Sequence, residues 1–134
     1  MVRRPLRHLD FDSLILINKE VVSLTNERHE YTDEDGRKIR SMLNDIEKLK
    51  VNEDLQEAIL DKAAFLIFRI ASGQYFHEGN KRTAIVAGVS FLRMNGFAAN
   101  VEDANLVAVV DRAGISTATL NDVKAVLRNL IRNV

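Results

Sequence analysis

The most informative part of this sequence is a polar stretch between two apolar segments, and it reads Gly73-Gln74-Tyr75-Phe76-His77-Glu78-Gly79-Asn80-Lys81-Arg82-Thr83. Apolar residues recur at helical spacing from Leu55 to Ile70 and again from Ile85 to Leu92. The stretch is therefore expected to be a loop that joins two helices, with the second helix beginning at Asn80.

The start of this second helix is a candidate anion site. The first backbone N–H groups of a helix have no partner within the helix, and the helix dipole is positive at that end. Gly79 lets a ligand approach the backbone closely, while Lys81 and Arg82 add cationic donors. The pattern predicts a phosphate-binding pocket formed by Gly79, Asn80, Lys81 and Arg82.

Glu78 places a carboxylate directly before this anion site. A carboxylate repels phosphate unless a Mg²⁺ ion bridges the two, an arrangement that needs only one or two protein carboxylates. We therefore predict that Glu78 is a magnesium ligand. The alternative is an ordinary solvated helix start, in which Glu78 complements the helix dipole and Lys81 and Arg82 face water.

The stretch differs from a P-loop in three respects. Five residues separate Gly73 from Gly79, which is one more than the Walker A pattern has between its glycines. Asn80 stands before Lys81, and a helix rather than a strand leads into the loop. The sequence therefore excludes a P-loop NTPase.

Helical periodicity extends through the rest of the chain, and no stretch alternates strictly as a half-buried strand does, so the predicted fold class is all-α. Asp12 is the expected N-cap of the first helix, Leu24 part of its buried stripe, and Gly73 the left-handed terminator of the third helix. Residues 97–101 are expected to be extended. We predict a compact bundle of about six helices with approximate bounds 13–27, 32–49, 52–73, 80–95, 102–113 and 119–131.

Length and composition restrict the class of protein. A chain of 134 residues with 19 basic and 19 acidic side chains is expected to form one domain, residues 1–134, without net charge. The balanced charge gives no support for nucleic-acid binding, and no apolar run is long enough to cross a membrane. The absence of cysteine excludes disulfides, thiolate zinc sites and a cysteine nucleophile. We expect a cytoplasmic location, because the amino terminus lacks a secretory signal.

Residues Phe76 to Ala84 resemble the core motif of the Fic/Doc family, H-x-F-x-(D/E)-(A/G)-N-(K/G)-R, in its Doc (death-on-curing) form with Lys before the Arg. The likeness continues at Asp61–Ala64 on the preceding helix and at Phe91–Gly96 at the end of the following one. The resemblance implies a Fic fold, which is a helical bundle around the motif.

The resemblance also implies an activity and roles for individual residues. Family members bind the phosphates of a nucleotide, with ATP and Mg²⁺ expected here, and move part of it onto a hydroxyl of a protein target. By this likeness Phe76 anchors the loop in the core, Glu78 binds Mg²⁺, Gly79 and Asn80 form the anion-binding turn, Arg82 clamps a phosphate, and the Thr83 hydroxyl reaches a phosphate or its own backbone.

Two positions distinguish the Doc form from the members that transfer AMP. Those members generally carry Gly at the position of Lys81 and a second Arg at the position of Ile85. The Doc pattern implies phosphate transfer from ATP to a Ser, Thr or Tyr hydroxyl of a target such as a translation elongation factor. It also implies a toxin–antitoxin pair, with a small antitoxin protein as a partner.

The sequence departs from the family motif at its first position, where Gln74 replaces the His that takes the proton from the attacking hydroxyl. A Gln amide has no usable pKa, and loss of a general base typically slows a reaction by a factor of about 10² to 10⁴. His77 can substitute only if the loop turns its imidazole toward the hydroxyl. Three hypotheses follow: a transferase with impaired activity, an inactive homologue that binds a nucleotide or a partner, and a plain helical interaction module.

Overall fold

The computed structural model describes residues 5–50 and 53–134, and these ranges contain six α-helices and one short antiparallel pair of strands. The all-α prediction is confirmed. The elements are α1 (Phe11–Ser23), α2 (Asp33–Lys48), α3 (Leu55–Gly73), α4 (Asn80–Met94), β1 (Phe97–Ala98), α5 (Ala104–Gly114), α6 (Leu120–Leu130) and β2 (Arg132–Asn133).

Helix α3 is the central element, as its broad apolar surface predicts. It packs against α2, α4, α5 and α6, and Leu60, Ile67 and Ile70 are fully buried along it. Helix α4 approaches it closely at Gly88, where a Cβ atom would lie 2.3 Å from Cγ1 of Ile67. Helix α1 packs on α4 and α2, and its residues Asn18 and Val22 lie against Gly79 at the start of α4.

Most helices begin close to the residues at which the sequence predicts a start. The side chain of Thr32 caps α2, Asp54 caps α3, Asp103 caps α5, and Thr119 caps α6 in a complete capping box with Asp122. The predicted N-cap of α1 is wrong by two residues. Asp10, not Asp12, accepts a hydrogen bond from the Ser13 N–H at 2.8 Å.

Two helix ends differ from the prediction. Gly73 is the last helical residue of α3, and the left-handed residue after it is Gln74, with φ of 52°. Glycine is required at position 73 for another reason, because a Cβ atom there would lie 2.6 Å from Cζ of the Tyr75 ring. Helix α1 ends at Ser23 rather than at residue 27, since Asn26 is left-handed and Leu24 is 86% exposed.

The strand pair closes the far end of the bundle. Phe97 pairs with Asn133 and Ala98 with Arg132, so only two of the five residues expected to be extended form a strand. The partner strand β2 was not predicted, and α6 ends at Leu130, one residue before its predicted end. None of the described helices is both long enough and apolar enough to cross a membrane.

Candidate functional site

The loop between α3 and α4 is folded around the side chain of Asn80. The buried Asn80 amide accepts a hydrogen bond from the Phe76 N–H (3.0 Å) and donates one to the Phe76 carbonyl (2.8 Å). Phe76 is 3% exposed and packs against the rings of His29 and Tyr31, which agrees with its predicted role as an anchor. The Asn80 side chain therefore holds the turn in shape from inside the loop.

Gly79 occupies the N-cap position of α4 and has a left-handed backbone, with φ of 78°. A Cβ atom there would lie 2.7 Å from Cγ1 of Val22 on α1, so a side chain at position 79 would collide with α1. No side chain caps α4, whereas Asp or Thr caps each of the other five described helices. The positive end of α4 is thus left without a local acceptor.

A pocket of about 280 Å³ lies at this end of α4. Its walls contain all but one of the residues that the sequence predicted for the site. The lining residues are Gln74, His77, Glu78, Gly79, Asn80, Lys81 and Arg82.

Thr83 is the predicted site residue that the pocket does not include. Its hydroxyl is fully buried and accepts a hydrogen bond from Nδ2 of Asn18 at 3.0 Å. Thr83 thus joins α4 to α1 beneath the loop, and its expected role toward a phosphate stays a prediction.

Arg82 is held at the edge of the pocket by the end of α1. Its guanidinium forms an ion pair with Glu27 and donates hydrogen bonds to Oγ1 of Thr25 (3.0 Å) and to the Val21 carbonyl (3.3 Å). The pKa of Glu27 is lowered, first by its hydrogen bond with Thr25 and then by Arg82. Sequence reasoning missed Glu27, because it lies far from the motif in the chain.

Lys81 extends toward the opposite side of the pocket. Its ammonium lies 3.6 Å from Oδ1 of Asp111 on α5, and both side chains are about half exposed. Its stem crosses α5 at Gly114, where a Cβ atom would lie 2.9 Å from Cε of Lys81. The two cations of the motif both lie on α4, but they pair with different parts of the chain, Lys81 with α5 and Arg82 with the segment that follows α1.

Glu78 is the acidic residue of the pocket. One oxygen of its carboxylate accepts a hydrogen bond from the backbone N–H of Arg28 at 2.5 Å. Within residues 5–50 and 53–134 no three His, Cys, Asp or Glu side chains come together to hold a metal ion. A single carboxylate beside a helix N-terminus is compatible with Mg²⁺, because this ion keeps several waters and needs only one or two protein carboxylates.

Gln74 and His77 occupy the rim of the pocket. The Gln74 amide donates a hydrogen bond to the Ala71 carbonyl (2.9 Å), so it caps the end of α3. An amide has no group that titrates near neutral pH. The His77 backbone N–H is bound to the Glu30 carbonyl (2.8 Å), and its side chain is exposed. A histidine therefore lies in the pocket three residues after the position where the motif has one.

Asn18 is a buried polar residue that the sequence analysis overlooked. It lies on the apolar face of α1, fully shielded from solvent, and contacts both the motif loop and His29. Burial, and secondarily the charge of Lys19, lowers the pKa of His29. The only available signal was an amide in an otherwise apolar stripe.

The family comparison agrees with this geometry. The Fic/DOC family model matches residues 8–92, which run from the segment before α1 to Leu92 of α4 and include every residue of the pocket. Helices α5 and α6 lie beyond the match. No curated protein matches the chain significantly.

Proposed function

Because the chain belongs to the Fic/Doc family, we propose that its pocket binds the phosphates of ATP with Mg²⁺, and that the protein transfers phosphate to a hydroxyl of a target protein at a reduced rate. Family membership supports a Fic-type transfer to proteins in general. The observation that carries the proposal is the pocket formed by His77 to Arg82 at the uncapped start of α4.

The electrostatics of the pocket favour a phosphate group. The dipole of α4 and its free N–H groups attract an anion, and Lys81 and Arg82 line the same space. Each cation is already paired with a carboxylate, but both ion pairs are partly exposed, and such pairs contribute little stability. A phosphate with several charged oxygens can therefore displace Glu27 from the guanidinium, which binds phosphate in a bidentate manner.

Glu78 is the residue that would hold Mg²⁺. The ion, when bound, would neutralise charge on the transferred phosphate, a contribution that carboxylates alone cannot make. The Arg28 N–H bond to the carboxylate fixes the orientation of Glu78 in advance of any ligand. The donor set is thus a single pre-oriented carboxylate, supplemented by phosphate oxygens and water.

Transfer requires a proton acceptor that the motif position does not supply. In the proposed reaction a target hydroxyl oxygen forms a bond with the γ-phosphorus, the bond from that phosphorus to the β–γ bridging oxygen breaks, and ADP leaves. The hydroxyl proton must pass to a base, and Gln74 has none to offer. His77 is the candidate substitute, because it lines the pocket and also a neighbouring cavity of about 350 Å³ through which a target side chain could enter.

The test is transfer of label from Mg²⁺-ATP, labelled in separate experiments at the α and γ phosphates, into proteins of a cell lysate. Wild type, Gln74→His and Gln74→Asn are compared. Both His and Asn tolerate the left-handed backbone at position 74, but only His can act as a base. We expect γ-label transfer by Gln74→His to exceed that of the other two proteins by about 10² to 10⁴.

Two outcomes would contradict this proposal. Absence of label transfer by Gln74→His, together with no binding of Mg²⁺-ATP, would mean that the pocket is not a nucleotide site. Transfer of α label instead of γ label would show AMP transfer and remove the Doc-like assignment. Transfer by wild type that His77→Gln abolishes would identify His77 as the working base.

A second candidate function, partner binding without catalysis, is favoured by an apolar groove beside the pocket. The groove has a volume of about 480 Å³ and shares Lys81 and Arg82 with the pocket. Leu24, Val101 and Val107 line it and are 86%, 40% and 38% exposed. An apolar surface of this kind suits a small antitoxin-like protein.

The partner hypothesis predicts association with a short protein encoded beside this one. Co-purification of the two should be lost in Leu24→Glu, which places a charge in the groove, and retained in Leu16→Glu, which alters an exposed leucine of α1 outside the groove. Binding of Mg²⁺-ATP should survive both substitutions. Equal co-purification of both variants would contradict a role for the groove.

A further inference from the structure

One fully buried side chain connects three segments of the proposed site. Nδ2 of Asn18 donates hydrogen bonds to the Glu78 carbonyl (3.0 Å) and to Oγ1 of Thr83 (3.0 Å). Its Oδ1 lies 2.7 Å from Nδ1 of His29. The amide thus reaches the motif loop, the first turn of α4, and the segment that follows α1, although it does not line the pocket.

We infer that Asn18 is a positioning residue that sets the conformation of the loop from His77 to Arg82. The consequence of this conformation for ligand binding and catalysis rests on the proposed function. The carbonyl of Glu78 belongs to the peptide that precedes Gly79. Holding that carbonyl inside the protein fixes the plane of this peptide, so the Gly79 N–H is fixed as well. The direction of the first backbone donors at the pocket is therefore set from α1.

The orientation of the Asn18 amide follows from its partners. A backbone carbonyl can only accept a hydrogen bond, so the group facing Glu78 must be the NH₂ of the amide. Oδ1 consequently faces His29, whose Nδ1 must be the donor and carry a proton. His29 packs against Phe76, and Arg28 donates its N–H to Glu78, so the same segment braces the loop from a second side.

Two substitutions test the hydrogen bonds of the Asn18 amide. Asn18→Asp keeps an acceptor for His29 but cannot donate to the Glu78 carbonyl, while Thr83→Val removes only the bond between Asn18 and Thr83. Leu14→Ala is the control, because Leu14 is fully buried on the same helix one turn earlier. It lowers stability without touching the amide network.

The first readout is protection of backbone amides from hydrogen exchange. We expect Asn18→Asp to lower protection at Glu78 to Arg82 at least tenfold more than in α6, and Thr83→Val to do so to a smaller extent. Leu14→Ala should lower protection in both regions alike. An even loss of protection in Asn18→Asp would overturn the inference and leave Asn18 as an ordinary buried amide.

The second readout is the dissociation constant for Mg²⁺-pyrophosphate, measured by calorimetry. We expect Asn18→Asp to weaken binding about tenfold or more relative to wild type and Leu14→Ala. Equal affinity in Asn18→Asp and wild type would overturn the inference. No binding by wild type itself would instead overturn the proposed function, and the exchange pattern would then decide by itself whether Asn18 orders the loop.

Discussion

The starts of α6 and α4 differ in how their first backbone N–H groups are satisfied. At α6 the Thr119 side chain accepts from the Asp122 N–H and Asp122 accepts from the Thr119 N–H, so donors and acceptors are satisfied within four residues. At α4 the N-cap position is held by a left-handed glycine, Gly79, and no side chain accepts from the first N–H groups. The comparison indicates that α6 begins in a way that serves stability, whereas α4 begins in a way that leaves its positive end available.

The charged groups near the two helices show the same contrast. On α6, Lys124 pairs with Glu57 and Asp61 of α3, and Arg128 also pairs with Glu57, so each cation belongs to a shared network. At α4, Lys81 and Arg82 each have one exchangeable carboxylate partner. The first arrangement ties two helices together, and the second keeps cations beside an open pocket.

The largest expected effect separates ligand binding from helix stability. In the active Gln74→His background, replacing both Glu78 and Arg82 by Ala should lower label transfer by about a hundredfold or more, as loss of pre-organised charge does in other enzymes. Thr119→Ala should leave transfer unchanged and lower the free energy of unfolding by about 1 kcal/mol. Undiminished transfer in the double variant would show that the start of α4 is only a solvated helix end.

Gly79 and Gly96 provide the next comparison, because both have positive φ angles but different surroundings. Gly79→Ala meets Val22 at 2.7 Å, whereas a Cβ atom at Gly96 (φ 96°) has nothing within 4 Å. Backbone strain is common to both substitutions, and the collision adds about 1–3 kcal/mol for Gly79 alone. Chemical denaturation should therefore show a greater loss of stability for Gly79→Ala. Equal losses would mean that α1 is free to move away from the loop.

A smaller effect is expected from the partner of Arg82. Glu27→Gln removes the carboxylate that competes with phosphate, so affinity for Mg²⁺-ATP should rise a few-fold. Glu57→Gln, which breaks the α3–α6 network instead, should leave this affinity unchanged. Calorimetric titration of the two variants checks the difference. Lower affinity in Glu27→Gln would show that Glu27 orients Arg82 rather than masks it.

The smallest effect is a difference in pH dependence. The pKa of His29 beside the loop is lowered by burial, and that of His8 by burial and the charge of Lys62, so folding disfavours the protonated form of both histidines. An unfolded His binds a proton more readily, so stability should be constant above about pH 7 and fall as the pH drops below 6.5. Asp122 has a lowered pKa because it accepts from Thr119, and its contribution is lost only in the range of acid pH where carboxylates protonate.

Amide protection factors between pH 7 and pH 5 test this order of events. Protection of the loop around Glu78 should decrease in this range, while protection at the start of α6 should persist. His8→Gln keeps an acceptor for Lys62 without titrating, and should reduce the pH dependence of global stability. Loss of amide protection at the start of α6 at a higher pH than in the loop would contradict this order.

The features that could be predicted from the sequence are those formed by nearby residues. The starts of α2 and α6 were predicted at residues 32 and 119, because an N-cap side chain and the backbone N–H from which it accepts lie three residues apart. The residues from Gln74 to Arg82 were predicted to share one site because they are contiguous, and the structure places them around one pocket. Their roles toward a ligand stay predictions.

The remaining features depend on contacts between distant parts of the chain. Asn18 meets Thr83, and Glu27 meets Arg82, across more than fifty residues, so helical periodicity gives no sign of either contact. The Tyr75 ring lies over Gly73, where a Cβ atom would meet it, and the left-handed position that a local rule assigns to glycine is taken by Gln74. The Asp10 cap was missed because Asp10 and Asp12 are both suitable by residue type.

The most direct test of the central claim is calorimetric titration of Mg²⁺-ATP into wild type, Arg82→Ala and Thr119→Ala. We predict one binding site per chain, an affinity at least tenfold weaker for Arg82→Ala, and an unchanged affinity for Thr119→Ala. Binding of equal strength in all three proteins, or no binding by wild type, would contradict the claim that the uncapped start of α4 is a phosphate site.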